Sequence, residues 1–101
     1  MVNHYIERRR VQSALFKSRA RGSVSTLTLA EWLGILEHFD YKCAYCKGSF
    51  KVIEHIIALK HGGGTVATNV VPSCYECNAK KDRVGSRPDF DMRNIRKRVV
   101  K

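Results

Sequence analysis

Apolar residues recur at helical spacing most clearly between Leu29 and Phe39, where Leu29, Trp32, Leu33, Leu36 and Phe39 fall on one face. The stretch opens on Thr28-x-x-Glu31, the form of a capping box, in which hydroxyl and carboxylate each satisfy an amide that a helix start leaves without a partner. A helix over Thr28–Phe39 follows, with its stripe in the core, Trp32 as anchor and His38 on the surface where the helix dipole favours it. Upstream, Ile6, Val11, Leu15 and Phe16 recur only loosely, so the segment from His4 to Arg21 allows a short helix without demanding one. Downstream the pattern shortens. Phe50 to Ile57 is β-rich, Gly62-Gly63-Gly64 marks a loop, Val66 to Val71 predicts a second strand, and Pro72 closes it. Cys74 to about Arg83 suits a short helix whose first turn carries Cys77 and Asn78. Gly85, Ser86 and Pro88 then break the chain, and Asp89 caps a last helix holding Met92, Ile95 and Val99. No internal repeat or long low-complexity tract appears.

Four cysteines change the picture. Cys43-x-x-Cys46 and Cys74-x-x-Cys77 are two matched hooks, each able to bring two sulfurs to one tetrahedral ion, and their spacing is that of a four-thiolate zinc site. Gly48 releases the chain from the first turn. Two disulfides are the alternative, but no apolar segment of a secretory signal follows Met1 and no apolar run is long enough to span a bilayer. An intracellular, cytoplasmic setting is therefore expected, with the thiols reduced. At 101 residues the chain is one domain, and a chain this short buries only about two-thirds of its unfolded surface, so a structural metal would supply much of its stability.

Charge points to the partner. Nineteen Lys and Arg against nine Asp and Glu give a formal net charge of +10, which fits a polyanion and above all nucleic acid. The basic residues crowd both ends. Arg8, Arg9, Arg10, Lys17, Arg19 and Arg21 stand against a single Glu7, and Arg93, Arg96, Lys97, Arg98 and Lys101 fill the tail. The expected organisation is a basic arm over 1–26, a zinc-bound core with its preceding helix over 27–83, and a basic tail over 84–101. The arm either stays solvated or neutralises phosphates, and the two readings are compatible.

Between the cysteine hooks lies a set of residues with chemistry in it. Cys43-x-x-Cys46, Glu54-His55-Ile56-Ile57-Ala58-Leu59, Gly62-Gly63, Asn69-Val70-Val71-Pro72 and Cys74-x-x-Cys77-Asn78-x-x-Lys81 together resemble an HNH endonuclease over Leu27 to about Arg83. The resemblance implies an α+β fold with a small ββα-metal (His-Me finger) core, stapled by the four-cysteine zinc site and carrying flanking helices. It also implies phosphodiester hydrolysis in DNA, by nicking or by cutting both strands. Hydrolysis needs an activated water, and His55 is the candidate general base, since an imidazole with an ordinary pKa of about 6.5 takes a proton at neutral pH. On a strand Glu54 and His55 point to opposite faces; the resemblance nevertheless makes Glu54 a ligand of a catalytic divalent ion, usually Asp in the family.

By the same resemblance Asn69 holds the histidine's segment through backbone hydrogen bonds. Asn78 offers an amide oxygen to Mg²⁺ or Mn²⁺, with other divalent transition metals as further options; a helix cap is its alternative role. His61 is a lesser metal-ligand candidate, read as exposed or phosphate-facing. Lys80, Lys81 and Arg83 are placed to grip neighbouring phosphates, as are Arg8, Arg9 and Arg10 in the arm. The small size and basic ends resemble free-standing nucleases of phages and prophages, for which partnership with a terminase, homing or host defence are open roles. No membrane partner is expected, and monomer and dimer both remain open. Two alternatives keep the charge and the cysteines, a non-catalytic zinc DNA-binding module and an RNA-binding zinc protein. Glu54 where the family usually has Asp and Ala58 where it has proline leave room for the first, and His55 argues against it; the second does not account for the His55, Asn69 and Asn78 set.

Overall fold

Asn3 starts the first helix: its side chain accepts from the amides of Tyr5 at 2.9 Å and Ile6 at 3.3 Å, and α1 then runs over His4–Ala20. Gly22, at φ +71°, ends it, with the Ser23 amide reaching back to the Ser18 carbonyl. The computed structural model describes residues 3–84, the side chains of 80–84 excepted. The helix expected after Asp89, and the basic tail, lie outside the described residues.

The basic N-terminal segment is thus a 17-residue helix packed on the rest of the protein. Its buried face is Glu7, Val11, Ala14 and Ser18, mostly small or polar. That composition explains why apolar periodicity understates it. Glu7 is the key to its attachment. Its carboxylate accepts from the Trp32 indole N–H at 2.8 Å and from Arg10 at 2.5 Å. An acid this deeply buried is tolerated only because both oxygens have such donors.

The second helix, α2 (Leu29–His38), carries the expected capping box, with Thr28 and Glu31 exchanging bonds of 2.9 and 3.1 Å. Trp32, Ile35 and Leu36 are buried and join Val11, Leu27 and Val70 in the core. Leu29, Leu33 and Phe39 pack around them. His38 is half-buried, edge-on to Phe39, where a surface position was expected.

Strands β1 (Val52–His55) and β2 (Val70–Ser73) form an antiparallel pair with Glu54 opposite Val71 and His55 opposite Val70. The second strand begins later than the run of valines suggests, because Ala67–Asn69 makes a 3-10 turn. Pro72 lies inside the strand opposite Ile53 and does not close it. A two-stranded sheet leaves each strand one open side, so a residue without an amide proton is accommodated there. The third helix, α3 (Tyr75–Val84), follows at once. The order strand, strand, helix of a small α+β fold is as expected. No helix among the described residues is long and apolar enough to cross a membrane.

Candidate active site and metal centre

The four cysteines meet at the junction of the sheet and α3. Cys43, Cys46, Cys74 and Cys77 are free thiols whose sulfurs all lie within 4.8 Å of one another. A tetrahedral zinc with Zn–S of about 2.3 Å requires sulfurs about 3.8 Å apart, and Cys46 and Cys74 stand at 3.8 Å. The first hook turns at Lys47, whose φ of +67° takes the left-handed region that Gly48 was expected to supply. Gly48 instead directs its amide to the Cys46 sulfur at 3.4 Å, as Cys77 does to Cys74.

The sulfurs do not ionise alike. Burial opposes a Cys43 thiolate, yet the amides of Cys46, Cys74 and Tyr45 outweigh it and lower the thiol to about 7. The Gly48 amide favours a Cys46 thiolate, but the neighbouring Cys43 and Cys74 sulfurs and burial hold that thiol above its ordinary value. Cys77 is pushed up by burial first, then by the surrounding sulfurs. One thiol gives up its proton readily and others resist, because burial and the crowding of sulfurs within a few ångströms both disfavour further thiolates. A divalent cation resolves that conflict. The residues fit a closed, four-thiolate metal.

The Cys43–Cys46 hook also reaches the acid–histidine pair. Tyr45, between the two cysteines, donates its hydroxyl proton to Glu54 Oε2. Glu54 is buried, and His55, its neighbour on β1, turns the other way. The His55 Nε2 lies 2.8 Å from Thr65 Oγ1, and that hydroxyl donates to the Ala14 carbonyl of α1 at 3.1 Å. The threonine has one proton and spends it on a carbonyl that only accepts. With its proton on the carbonyl the hydroxyl accepts from Nε2–H, an assignment that puts the basic lone pair of a neutral His55 on Nδ1.

Asn69 fastens the segment that follows. Its Oδ1 accepts from the Ile57 amide at 2.8 Å, while Nδ2 donates to the carbonyls of Ile57 and Gly64 at 3.1 and 2.8 Å. The backbone adds a bond from the Ile56 amide to the Asn69 carbonyl at 2.8 Å. Gly63 passes through this clamp: a Cβ there would stand 1.8 Å from the Ile57 oxygen and 2.9 Å from Asn69 Nδ2. Gly63→Ala is therefore expected to destabilise the protein by roughly 1–3 kcal/mol and to loosen His55's segment, with a lowered thermal midpoint as the readout. An unchanged midpoint would refute the clamp.

Asn78 is the fourth residue of α3, its amide already bonded to the Cys74 carbonyl, so it sits past the helix start and caps nothing. Glu54, His55 and Asn78 line one groove of about 790 Å³. His61 is exposed, in the 3-10 turn Leu59–His61. Of the arginine trio, Arg10 alone lines the groove, engaged with Glu7 and lying 4.9 Å over the Phe50 ring. Arg8 is exposed, and Arg9 stacks on Tyr5. Lys80, Lys81 and Arg83 fall on α3, with side chains outside the described residues.

Thr65 and Tyr45 escape a reading of the sequence. Thr65 belongs to no motif, Tyr45 is one of the variable positions inside the first cysteine hook, and each acts through a contact made only on folding.

The protein thus contains a strand–strand–helix unit with four clustered cysteines at its junction and an acid–histidine pair on its first strand. Residues 43–83 match the family model of the HNH endonuclease. No curated protein and no solved structure matches the chain.

Proposed function

We propose that the protein is a metal-dependent DNA endonuclease in which His55 is the general base. The observation that carries this reading is the His55–Thr65–Ala14 hydrogen-bond chain, which fixes the ring's tautomer inside the groove that Glu54 and Asn78 also line. His55 Nδ1 takes the proton of the attacking water, and Thr65 holds the ring in place as charge develops on it. Glu54 and Asn78 would hold Mg²⁺ or Mn²⁺, both of which favour oxygen ligands. Such an ion, when bound, neutralises charge on the scissile phosphate and the leaving 3′ oxygen. Tyr45 keeps the Glu54 carboxylate oriented, and Asn69 keeps the chain beyond His55 in register.

Zinc belongs to Cys43, Cys46, Cys74 and Cys77, where it is structural, and the reduced thiols suit an intracellular setting. The test is incubation of zinc-loaded protein with supercoiled plasmid in Mg²⁺, in Mn²⁺, and with neither. Relaxed or linear product that needs the added ion is the expected result. The ratio of relaxed to linear plasmid separates nicking from double-strand cutting. Folded protein that binds the plasmid and never cuts it with any divalent ion would instead identify a binding module.

A further inference from the structure

The groove has two walls, and only one carries the groups assigned to the reaction. The other is α1. Lys17 lines it from that helix and Arg21 from its C-cap, while Lys51 and Lys60 line it from the β1 side. Arg10 pairs with Glu7, and none of these four cations forms an ion pair with a carboxylate among the described residues. Glu54 is the one acid among the described residues of the lining. A concave surface with this imbalance draws a polyanion into it, not merely onto it.

Charge alone would suit any nucleic acid. Phe16 narrows the choice. It lines the same groove beside Lys17 and is 73% exposed. Apolar residues scattered singly over a surface need no explanation, but this ring stands on a cationic groove wall. A positive groove that tracks the backbone, with an aromatic face for a base, is the arrangement that holds a single strand. A closed duplex keeps its bases stacked inside and offers no base face to such a ring.

We propose that α1 is a strand-binding wall: Lys17 and Arg21, with Lys51 and Lys60 opposite, hold phosphates, and Phe16 stacks on an unpaired base. The preferred ligand is single-stranded or locally opened nucleic acid. The assignment rests on the groove being the substrate site of the proposed nuclease, yet its test reads no cleavage.

Full-length, zinc-loaded protein is titrated into a labelled oligonucleotide, single-stranded or annealed to its complement, without added Mg²⁺ or Mn²⁺. Wild type is expected to prefer the single strand. Phe16→Ala should weaken single-strand binding about five- to a hundred-fold, with the duplex nearly unaffected. Phe16→Trp should restore it. The double variant Lys17→Ala/Arg21→Ala should lower the slope of log K against log [salt] by about 1.4, roughly 0.7 for each charge on a single strand. These side chains are exposed, so α1 should keep its packing, which the circular dichroism signal checks. Wild type that prefers duplex, Phe16→Ala that binds single strand as wild type does, or an unchanged salt slope would each overturn the proposal. A protein that binds as described but never cuts plasmid keeps this wall and loses the nuclease reading. One that cuts while its α1 variants bind normally does the reverse.

Discussion

Cys77→Ser, or a chelator strong enough to strip the four-cysteine cluster, is expected to abolish the cooperative unfolding transition at room temperature. The apolar core of Val11, Leu27, Trp32, Ile35, Leu36 and Val70 lies mostly where α1 and α2 meet. Among the described residues the sheet contributes Val70, with Ile53 packed against it half-buried. The junction of sheet and α3 therefore depends on the cysteines. Structural zinc in small modules contributes about 10–16 kcal/mol of apparent binding free energy, against a typical net stability of about 5–15 kcal/mol. Losing the metal, or weakening its site by one ligand, removes a share of that size from a fold with little to spare. Zinc content per chain and circular dichroism before and after chelation measure this, and a cooperative transition in zinc-free protein would disprove it.

The pH dependence has a definite sign. Zinc takes thiolates, and the Cys46 and Cys77 thiols lie above their ordinary values in the metal-free fold. Protons therefore compete with the ion, and metal affinity falls as pH falls. Cys43, at about 7, is the first to release its proton.

The second large effect is on chemistry. His55→Ala should reduce plasmid cleavage by about 10²–10⁴-fold, the usual contribution of a positioned base, while DNA binding changes little. Thr65→Val tests how the ring is held. It removes the acceptor for Nε2–H and the bond to the Ala14 carbonyl, while Thr65→Ser keeps both groups. A loss of about 10–100-fold is expected for valine and a small one for serine, the scale on which orienting partners act. Valine cutting at the wild-type rate would mean that Thr65 does not set the tautomer. Wild-type cleavage by His55→Ala would remove His55 as the base.

How much of this the sequence disclosed follows the range of each interaction. The capping box of Thr28 and Glu31 and the stripe after it are local, and α2 appears as read. The cysteine hooks are nearly as local, and they cluster as their spacing requires. The sequence allowed α1 without demanding it, because its inward face is Glu7, Val11, Ala14 and Ser18, and no apolar stripe announces it. Pro72 misled in the other direction: proline stops a strand only where its missing amide is needed.

Within the site, His55, Asn69 and Asn78 stand in recognisable surroundings. Thr65 gains its meaning from Ala14, fifty-one residues away. Tyr45 gains its meaning from a carboxylate nine residues on, across a turn whose geometry the metal ligands set. The cations of the second wall, Lys17 and Arg21, were legible as charge but not as a surface, since that requires knowing that α1 is a helix and where it docks.

The link between Glu7 and Trp32 has an optical consequence. The chain has a single tryptophan, fully buried, whose N–H ends on a carboxylate that Arg10 also grips. Arg10 in turn lines the groove. Anything that enters the groove and draws on that guanidinium alters the charge beside the indole, and so the colour and intensity of its emission. The protein thus carries an unlabelled reporter wired to its own cleft, and detachment of α1 would register on the same dye as a large red shift.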